Sequence, residues 1–131
     1  MAASLLLAAA LATASAAHAS DAEKERAEAP EAAAVSHAGI RYQAPPFTRA
    51  EGLPHNGGYV EAVDEASGRR RWIVEVVPPL PDDGMEQDKR EVFITQLKLM
   101  RGNRHLLVVD ERGRQYRLDL RSLCARRLAG P

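Results

Sequence analysis

Two short segments, Asp64-Glu65-Ala66-Ser67-Gly68 and Asp110-Glu111-Arg112-Gly113, repeat one turn device and constrain the fold more than any other feature of the chain. An Asp at the entry of a turn accepts backbone N–H bonds, and a Gly near its end takes the positive φ that closes a hairpin. Alternating sequence flanks both turns. Tyr59–Asp64 leads into the first, and Arg71–Val77 leaves it with Trp72, Val74 and Val76 on one face and Arg71, Ile73 and Glu75 on the other. Leu106–Val109 leads into the second, after which Tyr116, Leu118 and Leu120 point inward while Arg117, Asp119 and Arg121 point out. Between the hairpins, Val92–Met100 is expected to place Phe93, Thr95, Leu97 and Leu99 on a single face. A period of two over so much of the chain predicts an all-β fold, a small antiparallel sheet or open barrel of about five strands. Asp64, Gly68 and Gly113 shape its turns, and Trp72 is expected to be its largest core side chain.

The start of the chain reads differently. Leu5-Leu6-Leu7-Ala8-Ala9-Ala10-Leu11 is a short apolar run, no charge precedes Asp21, and Ala17-His18-Ala19 is a small-x-small tripeptide of the kind signal peptidase accepts. Residues 1–19 are therefore expected to be a signal peptide, and the mature protein to be periplasmic or secreted. The run is too short and too weakly apolar to act as a stable membrane anchor. Residues 20–38 hold many charges and no apolar period, which predicts a disordered spacer, and residues 39–128 are expected to form one β domain. Cys124 is the sole cysteine, so no disulfide can form within the chain, and it reads as a small buried apolar residue. Whether it is free or pairs between chains is left open.

The segment Val63-Asp64-Glu65-Ala66-Ser67-Gly68-Arg69-Arg70-Arg71-Trp72 resembles the blade motif of the quinoprotein-type β-propellers. The match occurs once, and a propeller needs at least about four blades of some 40 residues, so the likeness implies a hairpin and not quinone binding. Across about residues 55–120, Asn56-Gly57-Gly58-Tyr59-Val60-Glu61-Ala62-Val63-Asp64, Trp72, Glu91-Val92-Phe93-Ile94-Thr95 and Asp110-Glu111-Arg112-Gly113 together resemble small exported bacterial proteins of uncharacterised function. That resemblance implies an exported single-domain β protein and transfers no catalytic residue.

Several chemistries are disfavoured by spacing. His37, His55, His105 and Cys124 are scattered, with no Cys-x-x-Cys or His-x-x-x-His, so no metal or other cofactor is expected. Asp82, Asp83, Glu86 and Asp88 are neighbouring carboxylates, but they sit in a Pro-rich connection whose simplest reading is a solvated loop, and no serine stands in a Gly-x-Ser-x-Gly setting. Catalysis is therefore not expected. Two binding readings remain. The long Val77–Val92 connection opens with the stiff Pro78-Pro79-Leu80-Pro81, which can present Leu80 beside Asp82 and Asp83 to a protein partner of the cell envelope. This interaction module is the first reading. The second is an anionic surface or glycan held by a C-terminal stripe of Arg114, Arg117 and Arg121 on one face, whose simpler meaning is a charged edge strand. Nucleic acid is not expected, because the chain has only six aromatic residues of Phe, Trp and Tyr type with which to stack bases.

Overall fold

A computed structural model describes residues 29–81, 84 and 86–130. Their architecture is all-β, as the alternation requires. Eight strands form two four-stranded antiparallel meanders, rather than one sheet or barrel of five. The first sheet orders β1 (Val35–His37), β2 (Ile40–Gln43), β3 (Tyr59–Asp64) and β4 (Arg70–Glu75). The second orders β5 (Ile94–Leu99), β6 (His105–Asp110), β7 (Gln115–Asp119) and β8 (Ala125–Arg127). The extra strands are the short ones. β1 and β8 have three residues each and carry no apolar period, so only pairing with a longer neighbour makes them strands. β1 also lies inside the stretch expected to be spacer, and Ala32 and Val35 pack on the core, so the fold begins before residue 39. The proposed signal peptide and residues 20–28 lie outside the described residues.

The core is the layer between the two sheets. Tyr42, Val60 and Ala62 from the first sheet meet Ile94, Leu97, Leu106, Val108, Tyr116 and Leu118 from the second, with Val76, Val77 and Val92 where the chain crosses over. One expectation fails in β5. Its register against β6 slips between Ile94 and Gln96, so a bulge at Thr95 interrupts the alternation. Ile94 and Leu97 are consequently both buried, and Thr95 turns its hydroxyl to the carbonyls of Val109 and Asp110, 3.3 Å from each. Phe93 is buried outside this core, close to Gly57, and is the largest of the fully buried side chains. Trp72 does not have that role. It is half-buried at the rim of the core, with its ring 6.0 Å from that of Tyr42. Cys124 is exposed, not buried, because it belongs to the turn before β8 and not to a strand face.

Both Asp-to-Gly turns form as expected. Gly68, at φ +74°, donates to the carbonyl of Asp64 at 2.7 Å, and Gly113, at φ +80°, donates to that of Asp110 at 2.9 Å. The two aspartates differ in surroundings. Asp64 is at the surface, where its carboxylate accepts the backbone N–H of Ser67 at 3.0 Å and its hydroxyl at 3.1 Å. Those bonds hold its carboxyl below the ordinary aspartate value. Asp110 is 1% exposed, and its carboxylate accepts the N–H groups of Arg112 and Arg114, the Arg114 Nε and the Tyr116 hydroxyl at 2.8 to 3.2 Å. A third turn of this type joins β7 to β8 without a glycine. Leu123 donates to the carbonyl of Asp119 at 2.8 Å from a left-handed φ of +63°.

Two outcomes follow from these turns. Asp110→Ala leaves the half-buried Arg114 guanidinium and the buried Tyr116 hydroxyl without their acceptor and should cost about 3–5 kcal/mol, whereas Asp64→Ala loses only solvated bonds and should cost clearly less. Urea unfolding of the two variants checks the contrast. Leu123→Gly removes a left-handed strain of about 1–2 kcal/mol, against an entropic cost of roughly 0.5–1, so its unfolding midpoint should rise slightly.

Candidate binding surfaces

The outer faces of the two sheets are treated differently by the chain. The 44–58 connection folds over the outer face of the first sheet. His55 is buried there, its ring stacked on Tyr59 with centroids 4.7 Å apart. Its Nε2 lies 3.0 Å from Glu75 Oε2 and its Nδ1 3.1 Å from the Asn56 carbonyl oxygen. Thr48, fully buried, donates its hydroxyl to the His55 carbonyl at 2.6 Å, and buried Glu91 accepts the Asn56 N–H at 2.8 Å. Glu61 is buried beside them, paired with Arg70 at 2.6 Å and bonded to Gln43, while Arg70 also reaches Glu51 at 2.8 Å. This set pins a 3-10 turn, Thr48–Glu51, and the loop after it to the sheet.

His55 and Glu75 form an imidazole–carboxylate pair, which is half of a catalytic base arrangement. Among the described residues no hydroxyl or thiol is hydrogen-bonded to either ring nitrogen. Both ring nitrogens already face oxygen acceptors, the Thr48 hydroxyl is spent on the His55 carbonyl, and burial, then the Glu75 charge, pushes the Tyr59 phenol above its ordinary pKa. A cleft of about 200 Å³ opens next to His55, between Pro54, Pro79, Gln87, Arg90 and Glu91. It falls below the roughly 300–1,000 Å³ usual for small-molecule pockets. Among the described residues, no three His, Cys, Asp or Glu side chains converge as a metal would require.

The Val77–Val92 connection is more tightly held than its sequence suggests. Leu80 packs against the core, donates its N–H to the Arg90 carbonyl at 2.7 Å and accepts the Arg90 Nε at 2.9 Å. It is therefore a closing contact at the neck of the loop rather than a side chain offered outward. One helical turn, α1 (Gln87–Arg90), lies on the return limb. Asp82 and Asp83 lie outside the described residues.

Among the described residues nothing folds over the outer face of the second sheet, and here register creates a feature that linear spacing hides. Lys98 on β5 lies opposite Leu107 on β6, Leu107 opposite Arg117 on β7, and Arg117 opposite Arg126 on β8. Three cations thus cross the four strands in one transverse row. The next row is neutral, Gln96, Val109 and Gln115. Asp119 shares this face at one end, where its carboxylate accepts the N–H groups of Ser122 and Arg121 and lies 3.7 Å from Arg104 and 3.5 Å from His105. The backbone bonds, from Ser122 before Arg121, hold its carboxyl below the ordinary range. Its charge is thereby committed away from the row.

Of the stripe expected from sequence, only Arg117 belongs to this row. Arg114 precedes β7, in the turn after Asp110, and its Nε is bound to the buried Asp110 carboxylate at 2.8 Å, away from the row. Arg121 is exposed, in the turn that leaves β7. Lys98 and Arg126 were not legible as partners of Arg117, because only strand pairing brings positions 98, 117 and 126 together. Comparison with known proteins returns no family model that matches the chain and no matching curated protein.

Proposed function

We propose that this protein is an exported, non-catalytic binding domain that holds an anionic partner, a charged surface or an acidic glycan, against the outer face of its second sheet. The observation that carries the reading is the row Lys98, Leu107, Arg117 and Arg126. Arg117 and Arg126 are direct cross-strand neighbours, and like charges placed so are mutually destabilising. At about 5 Å in water the repulsion is near 1 kcal/mol, and an anion bridging the two guanidinium groups would remove it. The flanking Leu107 and Val109 are aliphatic, and the two rows present no aromatic side chain, so the face suits repeated anionic groups better than stacked bases.

The magnitude is modest. Each basic residue near an anionic surface contributes about 1 kcal/mol, so the row supplies roughly 3 kcal/mol, and tight retention needs a partner that repeats its charges. Sedimentation with phosphatidylcholine vesicles, with and without phosphatidylglycerol, and retention on an acidic polysaccharide test the reading and separate the two sources. Binding should be confined to anionic material and weaken with salt. The triple variant K98Q/R117Q/R126Q should lose about a hundredfold in affinity while its urea midpoint holds or rises slightly as the Arg117–Arg126 repulsion is relieved, and Arg112→Gln should change little. Equal binding by the triple variant would overturn the assignment.

Export rests on the apolar run at Leu5–Leu11 and on Ala17-His18-Ala19. Protein recovered from the cell envelope should begin within a residue or two of Ser20, which N-terminal sequencing reads directly.

A further inference from the structure

The outer face of the second sheet is laid out in transverse rows of different chemistry. The cationic row runs Lys98, Leu107, Arg117 and Arg126. Among the described residues no carboxylate forms an ion pair with any of its three cations. On one flank lies the neutral row, where exposed Gln96 and Gln115 stand on either side of Val109. On the other flank His105 lies opposite Asp119, whose carboxylate would repel an anion. Neighbouring strands lie about 5 Å apart, so Arg117 and Arg126 are one spacing from each other and Lys98 is two spacings, about 10 Å, from Arg117. Charge is therefore spaced unevenly, as a pair of guanidinium groups, an aliphatic gap at Leu107 and then a single ammonium.

We propose that the anionic partner of this face is an acidic polysaccharide whose carboxylates recur on every second sugar, lying across the strands over the cationic and neutral rows. The proposal rests on the reading of the row as an anion-binding surface and adds the chemistry of the anion. A guanidinium matches a carboxylate with its forked donors, and one carboxylate between Arg117 and Arg126 relieves their mutual repulsion. An extended pyranose chain advances by about one strand spacing per sugar. The next sugar then passes over Leu107 and Val109, where an uncharged ring meets aliphatic side chains. The sugar after that brings its carboxylate toward Lys98, whose flexible stem takes up the remaining distance. A chain charged on every sugar would instead set a carboxylate over Leu107 with no cation beneath it. Gln96 and Gln115 supply amides, which both donate to and accept from sugar hydroxyls. A bilayer is the poorer fit. Its anionic lipids diffuse into any spacing, so the uneven row gives it no advantage. The one exposed large apolar side chain among the described residues, Phe47, lies in the 44–58 connection over the other sheet and not on this face.

Nuclear magnetic resonance titration of the isotope-labelled protein with hyaluronan oligosaccharides, in which uronate alternates with a neutral sugar, tests this. Lengthening the ligand from a disaccharide with one carboxylate to a tetrasaccharide with two should tighten binding about fivefold or more, as the second carboxylate reaches Lys98. Lys98→Gln should abolish that gain and leave disaccharide binding unchanged. Q96A/Q115A should weaken the tetrasaccharide and spare binding to phosphatidylglycerol vesicles. An oligogalacturonate of the same length, charged on every sugar, should bind no more tightly than the hyaluronan tetrasaccharide despite its greater charge. Absence of the gain, a gain that survives Lys98→Gln, or tighter binding of the oligogalacturonate would overturn the alternating glycan and leave the row an anion-binding surface. Binding to vesicles but to neither oligosaccharide would assign the face to a membrane and overturn the proposal in the same way. Binding to none of the three would overturn the reading of the row itself.

Discussion

Asp110 ends β6 with its carboxylate out of water and four donors around it, two backbone N–H groups from the turn, the Arg114 Nε and the Tyr116 hydroxyl. A buried carboxylate is costly unless its lone pairs are filled, so the turn after it has little freedom to slip. The register of β7 against β6 follows from that turn, with Leu106 opposite Leu118 and Leu107 opposite Arg117. A slip of one residue would send Tyr116 and Leu118 outward and Arg117 into the core. The inter-sheet core and the cationic outer row are thus two faces of one register, and Asp110 holds both.

The two sheets use polar residues in opposite ways. In the first, buried Thr48, His55 and Glu91 hydrogen-bond within and to the 44–58 connection, and buried Glu61 bonds Gln43 and the Arg70 that also reaches Glu51, so that together they clamp the connection over the sheet. Burying polar groups is tolerable only when they find partners, and here the partners come from the loop and from the strands beneath it. Among the described residues the second sheet receives no such cover, and its outer face keeps Lys98, Arg117 and Arg126 beside Leu107 and Val109. Chain connectivity explains the difference. The long connections run between β2 and β3 and between β4 and β5, while the strands of the second sheet are joined by tight turns with nothing left over to fold back.

Much of the hairpin framework was legible in the sequence, because turn chemistry and strand alternation are local. Asp64, Gly68, Asp110 and Gly113 act where they were expected to. What escaped has specific causes. Leu123 hides a turn because a leucine, not a glycine, occupies the left-handed position. The Thr95 bulge is set by pairing with β6, which no window of sequence contains. His55 reads as an ordinary loop histidine until Glu75, 20 residues away, closes on it.

Alternation, turn residues and a single cysteine were enough to determine that this protein is built from antiparallel hairpins with no disulfide within the chain. These are local properties, settled by which φ angles a residue tolerates and which face of a strand it occupies. Only the tertiary structure decided that there are two sheets, that Trp72 sits at the rim while Phe93 lies buried, and that Arg114 faces away from Arg117. Those depend on which strand lies beside which, and on a one-residue bulge that exchanges inside for outside. A cationic row assembled from positions 98, 117 and 126 belongs to that second kind of information: neighbouring strands lie about 5 Å apart however far apart their residues are in the chain.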